Sequence, residues 1–512
     1  MGYGIKRKEN YMKKIQKIFW ITAYGYILLP FLIFLLGWVK LLIALPLTLI
    51  LCYVFYKICK EAPAIWMPEW NKENIIKVIF IVGVIAIWVY YSGIGKFVFQ
   101  NTDHAIRNGI FNILVERQWP IVNSEILADS DFALNDVNKT GLIYYIGFWL
   151  PSALIGKIFG LHEGYCAQAL WAVLGIALVY YFICAVMKKI VVWPLFVMIF
   201  FSGLDAMGIF LTGVDPMEYG SKMHLEWWGT PYQYSSMTTQ LYWVFNQAIP
   251  AWLCTMLVYI QRNNRNIVFI LACSMLTSTF PFVGLLMLVC FLCLSRKYER
   301  HNVDKAVGER MKRHICCVMK DTITMQNVLG GGIIGITTFL YLKSNSSGAV
   351  IMGKNNKGPE FDNSLAKLVI FLILEIGVYA VLLYKYNRAN SLFYFLVVCL
   401  CMIPPVKVGY SIDFCMRASI PALFILMILV IRTIDEAWKK RDYRVFTGLV
   451  TALIIGSLTP ICEFERTFSE TFRRIKVGEI VAEEDHDMLE ILNDPNFSGN
   501  IEHNIFYEYF AK

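Results

Sequence analysis

The residues of this sequence that can do chemistry sit in a few polar stretches between long apolar blocks. The first is Asn101-Thr-Asp103-His104-Ala-Ile-Arg107-Asn108. A carboxylate at the end of a membrane helix, facing a medium of low dielectric, can act as a general base or ligate a divalent cation. Asp103 and Arg107 are also four residues apart, the spacing of an ion pair on one helix face. Asp129-Ser-Asp131 follows, two carboxylates able to grip a metal or a polar substrate, in a pattern equally at home in a solvated loop. Residues 214–238 hold Asp215, Glu218, His224, Glu226, Trp227, Trp228, Tyr232 and Tyr234. Aromatic platforms beside acids and an imidazole suit carbohydrate or prenyl-chain recognition, and equally the aromatic belt of a membrane interface. His224 and Glu226 add metal-ligand types without a third ligand at a telling spacing.

Two further stretches come later. In Gln240-Leu-Tyr-Trp243-Val-Phe-Asn246-Gln247-Ala-Ile-Pro250, Gln240, Trp243 and Gln247 recur at helical spacing. Amides inside a bilayer helix face the bundle interior, where they bind a substrate or join helices. In Tyr410-Ser-Ile-Asp413-Phe-Cys-Met-Arg417, the guanidinium can hold a phosphate bidentately, snorkel to headgroups, or pair with Asp413 four residues earlier. Asp205 and Glu375 stand within apolar blocks, where ionisable residues are functional suspects, and the sequence gives neither a partner.

The elements that must position these residues are helices. The chain is 57% hydrophobic and 17% charged, whereas a soluble domain carries about a quarter charged residues. The apolar blocks run to about twenty residues, enough to cross a hydrocarbon core, and lack the alternation of barrel strands. A net charge of +9 comes from short basic clusters between blocks; these set topology and do not call for nucleic acid. The 14 cysteines are scattered, most of them inside apolar blocks, without metal or disulfide spacing. The fold class is therefore an all-α polytopic integral membrane protein with about 11–13 transmembrane helices and interfacial helices in the first long outer loop.

The positive-inside bias predicts a cytoplasmic N-terminus, through Lys6, Arg7, Lys8, Lys13, Lys14 and Lys17, and an external C-terminal tail. It divides the chain into N-terminal transmembrane helices (1–96), an outer loop with interfacial helices (97–164), a transmembrane bundle (165–461) and the tail (462–512). Outer loops of the bundle fall at 214–238, 344–364 and 410–416. The block 141–160 carries Tyr144, Tyr145, Trp149 and Pro151, and crossing would put Lys188 and Lys189 on the wrong face; it is read as interfacial or re-entrant. The block 266–295 has basic flanks and a break at Ser278, Thr279 and Pro281, which predicts a hairpin of two short helices entering from the cytoplasmic side. Single helices are expected over 190–213, 391–409, 417–434 and 445–461, and the tail is expected to pack on the outer loops.

Taken in order, these features resemble the GT-C superfamily of membrane glycosyltransferases, which use lipid-phosphate-linked sugars. The resemblance covers roughly residues 76–435. It rests on the acidic loop at Asp103, the Arg117-Gln-Trp119-Pro120 turn, the aromatic and small-residue run from Tyr144 to Gly160, Gln240–Pro250, and Arg417-Ala-Ser-Ile-Pro421. It implies transfer of a sugar from a polyprenyl-phosphate donor to an envelope glycan, lipid or protein acceptor at the outer face of a cell membrane. Asp103 would then activate the acceptor or bind a divalent cation (Mg or Mn), and Arg417, with Arg107 second, would hold the donor phosphate. Many members carry a second acid beside the first; here His104 follows Asp103, and His104, Asp129 or Asp131 would take that place. A transporter or flippase of a lipid-linked glycan and a non-catalytic envelope-assembly scaffold are the competing readings.

Overall fold

An apolar block in lipid must satisfy its own backbone, so each one closes into a helix unless neighbouring protein satisfies a break. The computed structural model describes the chain apart from residues 1, 64, 124–138, 216–223, 262, 296–306, 346–364, 409–412 and 503, and the side chains of 2–16, 307–311 and 313. Among the described residues eight helices are long and apolar enough to cross a membrane: Lys17–Trp38, Leu41–Glu61, Lys72–Tyr91, Leu161–Met187, Trp193–Thr212, Met237–Ile260, Leu365–Asn387 and Tyr443–Val477. A ninth appears if His314–Thr322 and Gln326–Leu342, bent by 66°, form one span. The architecture is all-α and multi-pass. Strand is confined to one pair, Thr140–Leu142 antiparallel to Ser498–Asn500, among the described residues.

Met237–Ile260 is buried along nearly its whole length and forms the axis of the bundle. Peripheral helices bury one stripe only. Leu41–Glu61 turns Ala44, Leu51, Val54 and Ile58 inward and leaves Leu42, Leu45, Leu49 and Tyr53 exposed, as a lipid-facing helix should.

The block 266–295 folds as Ile267–Met275 and Thr279–Ser295, joined by a break at 276–278. Asn264 Nδ2 donates to Cys293 O (3.4 Å), so the outer ends of the two arms meet and the segment is a hairpin, as its Ser-Thr-Pro break leads one to expect. At its tip, Gly147 N donates to Leu276 O (3.0 Å).

Several elements depart from the sequence reading. The block 141–160 is not one helix: only Leu150–Phe159 is helical, and its ten residues span about 15 Å, too little to cross. Tyr144 and Tyr145 precede that helix, where strand pairing with the tail holds the chain extended up to Leu142. The helix expected at 190–213 is interrupted at Ser202–Leu204, and the one expected at 391–409 stops at Met402. The segment expected at 417–434 is a short helix, Asp413–Ala418, followed by Ile420–Lys439. Beyond Gly456 the chain re-enters helix over Leu458–Val477, well past the expected end at 461.

The remaining tail packs on the first loop, as expected. Lys96 pairs with Asp485 (2.7 Å), Asn112 Nδ2 donates to the same carboxylate (2.7 Å), and His486 N donates to Ala105 O (3.2 Å). Lys512 N reaches Trp38 O (2.9 Å), which ties the end of the chain to the first membrane helix. Helix Asp103–Glu116 is thereby clamped between the tail and the bundle.

Candidate functional site

The site begins with a defect in the axial helix. Pro250 has no N–H, so the carbonyl of Asn246 lacks its helical donor, and Val244 adopts non-helical angles (φ −137°, ψ 36°). The carbonyl of Tyr242, freed by that kink, accepts from Asn101 Nδ2 (2.8 Å) and His104 Nε2 (2.9 Å). The kink is thus the socket that seats the start of helix Asp103–Glu116. The other nitrogen of His104, Nδ1, lies 3.2 Å from Gln100 Nε2, which fixes the neutral tautomer with its proton on Nε2. Burial first, and the nearby Arg107 guanidinium second, push the His104 imidazole down to about 3.

Asp103 opens its helix, a position the helix dipole favours for an acid. Its Oδ2 receives Arg107 Nη2 at 2.8 Å; the acid's side chain is 41% exposed and the guanidinium's only 9%. Burial alone would raise the Asp103 carboxyl, but Arg107, then Arg417 and His104, overturn that and hold it below the usual carboxylate range. Arg417 comes from Asp413–Ala418, where its Nη2 pairs with Asp413 (3.1 Å) and its Nη1 donates to Tyr145 Oη (3.3 Å). Tyr145 also accepts from Gln247 Nε2 (3.0 Å) and from the hydroxyl of Tyr144. Tyr242 seats Asn101 and His104, and Gln247, five residues on in the same helix, holds Tyr145 and through it Arg417, so two guanidiniums and one accessible carboxylate converge at a single end of the bundle.

This convergence leaves hydrogen-bonding capacity unused. Arg107 Nη1, Arg417 Nε, Gln247 Oε1, Asn101 Oδ1 and both amide atoms of Asn246 are buried without a partner. Buried polar atoms are nearly always satisfied, so a group of them in one region marks a place built for something else. Two donors are guanidinium N–H groups, suited to an anion, and the amides suit hydroxyls. The residues around Asp103 do not fit a divalent cation: its companions are guanidiniums, and both His104 nitrogens are engaged. Among the described residues no group of three or more His, Cys, Asp or Glu is placed to hold a metal. Asp129 and Asp131 lie outside the described residues.

His224 and Glu226 belong to a separate cluster. His224 Nδ1 meets Glu463 Oε1 (2.9 Å), and its Nε2 stands 3.8 Å from Glu226 Oε2. Glu463 Oε2 accepts from Trp243 Nε1 (2.9 Å) and pairs with Arg466. Glu226 accepts from Ser236 N (2.8 Å) and Gln233 Nε2 (2.7 Å); burial pushes its carboxyl up to about 7, His224 pulling the other way. Trp227 packs edge-on to His224, with ring centroids 4.7 Å apart, and so closes this cluster instead of lining the first. The bridge between the two clusters is Cys415, two residues before Arg417, whose Sγ contacts Gln233 O (3.4 Å).

Of the residues singled out in the sequence, Asp103, His104, Arg107, Arg417 and Gln247 are brought together, and Asn246 lies beside Gln247 in the axial helix with its amide unpartnered. Gln240 is not: its amide donates to Ser235 O (2.8 Å) and accepts from Trp252 (2.9 Å), so it ties the axial helix to itself across its kink. Tyr145 and Asn101 were missed as site residues, the first because tyrosines near an interface have a non-specific reason to be there. Glu463 and Arg466 were missed too; the i, i+3 spacing of opposite charges, with Thr459, Thr467 and Thr471 on the same buried face, was the available signal. A lateral apolar groove of about 630 Å³, lined by Trp193, Phe200, Trp438, Phe446 and Leu453, lies by Asp435 and Lys189. Helix Leu161–Met187 carries Tyr165, bonded to Asn112, near one end and leads to Lys189 past the other, its last turn about 33 Å from Tyr165, so the groove opens far from Asp103. Comparison of the chain with family models, curated proteins and solved structures finds no match.

Proposed function

We propose that the protein is a membrane glycosyltransferase of GT-C type. In this reading a chain of about 11–13 membrane-embedded segments moves a sugar from a polyprenyl-phosphate donor to a hydroxyl of an envelope glycan, lipid or protein. The N-terminus is cytoplasmic, and the Asp103 end of the bundle, with the C-terminal tail packed on it, faces outward. The observation that carries the reading is the pairing of an accessible carboxylate with two largely buried guanidiniums, each holding an unpartnered N–H.

The chemistry asks for a base on one side of an anomeric carbon and a cation on the other. As the glycosyl–oxygen bond breaks, its electron pair passes to the polyprenyl phosphate, and positive character grows at the anomeric carbon. Arg417 and Arg107 stabilise the departing phosphate where its charge develops. The acceptor oxygen bonds to the anomeric carbon, and its proton goes to Asp103. Paired with Arg107, Asp103 is a weak base. A phosphate that draws Arg107 toward itself loosens that pair and raises the basicity of Asp103 when the donor is in place. The unpartnered amides of Asn246 and Gln247 suit the sugar hydroxyls. A divalent cation, if the reaction uses one, would draw on Asp129 or Asp131.

The test is equilibrium binding of polyprenyl phosphate to the full chain in lipid nanodiscs. A charge-assisted hydrogen bond is worth about 1.5–3 kcal/mol, so Arg417→Gln and Arg107→Gln should each weaken binding roughly 10- to 150-fold. Unchanged affinity in both variants would remove the phosphate site. A transporter of lipid-linked glycan is the second reading, favoured by one observation: Glu375 lies buried in the middle of a span. Passage of a labelled lipid-linked glycan across vesicles without loss of its sugar would select that reading.

A further inference from the structure

Three spans lose regular helical geometry where they cross. Trp193–Thr212 is unwound at Ser202–Leu204, Leu365–Asn387 passes through a π-helical turn at Ile373–Gly377, and the long helix Tyr443–Val477 is interrupted at Ser457. Leu204 N donates to Leu374 O (3.3 Å) and Tyr379 Oη to Ser202 O (2.9 Å), which joins the first two. Thr459 Oγ1 donates to Asp205 Oδ2 (2.7 Å) and brings in the third. Turns of this kind inside a bilayer persist only where protein satisfies them, and π-turns recur at functional sites.

Two carboxyl groups meet at the crossing. Asp205 is 1% exposed and accepts three hydrogen bonds, from Trp228 Nε1 (3.0 Å), Ser202 Oγ (2.9 Å) and Thr459 Oγ1. Glu375 is 3% exposed, packs its Oε2 against Gly203, two residues before Asp205, and its Oε1 has no partner. Two ionised carboxylates are acceptors only and repel each other, so one of two acids buried this close keeps its proton. With three donors already on Asp205, that proton belongs to Glu375. The surroundings are packed hard: a Cβ built on Gly203 would stand 1.8 Å from Glu375 Oε2, and one built on Gly456 would stand 2.9 Å from the carbonyls of both Ser202 and Gly203. The titratable groups that face Glu375 are Asp205, Glu226, Tyr234, Tyr379 and Cys415, all of them acids.

We propose that Asp205 and Glu375 form an exchangeable proton-binding site inside the membrane, separate from the Asp103 site, whose occupancy sets how the three interrupted spans pack. This inference does not depend on the glycosyl-transfer reading. In the exchange step the Glu375 O–H bond breaks with its electron pair left on Glu375, and the proton passes to a water molecule, which becomes hydronium. Loss of the proton leaves two adjacent buried carboxylates, and their repulsion acts across the Leu204–Leu374 contact.

The experiment is difference infrared spectroscopy of the full chain in nanodiscs, with glutamate labelled by carbon-13 at the side-chain carboxyl, titrated over pH. The expected result is a protonated carboxylic-acid band that shifts with the label and disappears reversibly as pH rises. It should be missing in Glu375→Gln and retained in Glu226→Gln. In a Glu226→Gln background, thermal stability should still fall over the same pH range, and adding Glu375→Gln should remove that fall. Three results would overturn the proposal: no Glu375-dependent band at any pH, a band that persists until the protein unfolds, or a band displaced by sodium at constant pH.

Discussion

Gly284→Ala tests whether the hairpin Ile267–Ser295 holds the Arg417 turn in place. Gly284 lies in the second arm of the hairpin, Thr279–Ser295, and a Cβ built there would stand 2.0 Å from Ala418 O and 3.2 Å from Pro421 Cδ. Ordinary contact begins at 3.4 Å, so the arm and the Asp413–Ala418 turn must part by about 1.4 Å. The obstacle is a backbone carbonyl, which has no rotamer to escape into. Overpacking of this kind costs about 1–3 kcal/mol. The displacement falls on the residue after Arg417, and a misplacement of about 1 Å can cost on the order of 100-fold in rate. Gly332→Ala is the control: a Cβ there meets nothing within 4 Å, and both substitutions gain the same helix propensity of about 1 kcal/mol. Thermal unfolding in nanodiscs, with polyprenyl phosphate binding measured alongside, should show Gly284→Ala less stable and weaker in binding, while Gly332→Ala matches the native chain or exceeds it. Equal behaviour of the two variants would refute the claim that the hairpin positions Arg417.

Other perturbations have equally definite outcomes. His104 is buried neutral and pushed down to about 3, so its contribution to stability is complete above 6.5 and is lost as pH falls from there toward 3; His104→Gln should flatten that loss in unfolding midpoints measured against pH. Glu226 behaves in the opposite sense: pushed up from 4.5 to about 7, it binds its proton more tightly folded than unfolded, so stability falls as pH rises from about 4.5 through 7, and Glu226→Gln should remove that fall. Tyr145→Phe strips the acceptor shared by Gln247, Arg417 and Tyr144, and each buried donor left unsatisfied costs about 1–3 kcal/mol, visible as a lower unfolding temperature.

The sequence discloses what local pattern controls. Apolar length alone marks the spans, and Ser278, Thr279 and Pro281 mark the turn of the hairpin, because a break in a bilayer helix needs such residues. Asp103 and Arg107 are legible as a pair because helical spacing dictates it. What stays hidden depends on contacts between distant segments. Asp205 and Glu375 read as isolated acids because their meeting is made by one unwound turn and one π-helical turn that no periodicity announces. Residues 140–142 are extended because the tail at 498–500 supplies their hydrogen bonds, which no local propensity foretells. Gln240 and Gln247 share a helix face, yet Ser235 and Trp252 satisfy one while the other keeps a free oxygen, a difference set by the kink at Val244.

The central claim is that Asp103 is the base of a sugar-transfer site. It is tested most directly by release of polyprenyl phosphate from labelled polyprenyl-phosphate sugars, with native chain and Asp103→Asn compared in nanodiscs across a panel of sugars, acceptors and divalent cations. Asparagine keeps the shape of the side chain and cannot take the proton. Release by the native chain, with donor binding retained and turnover lost in the variant, is the expected result. Turnover by the variant at the native rate, or donor binding by the native chain without release under any condition, would contradict the account and leave Asp103 as the helix-end partner of Arg107.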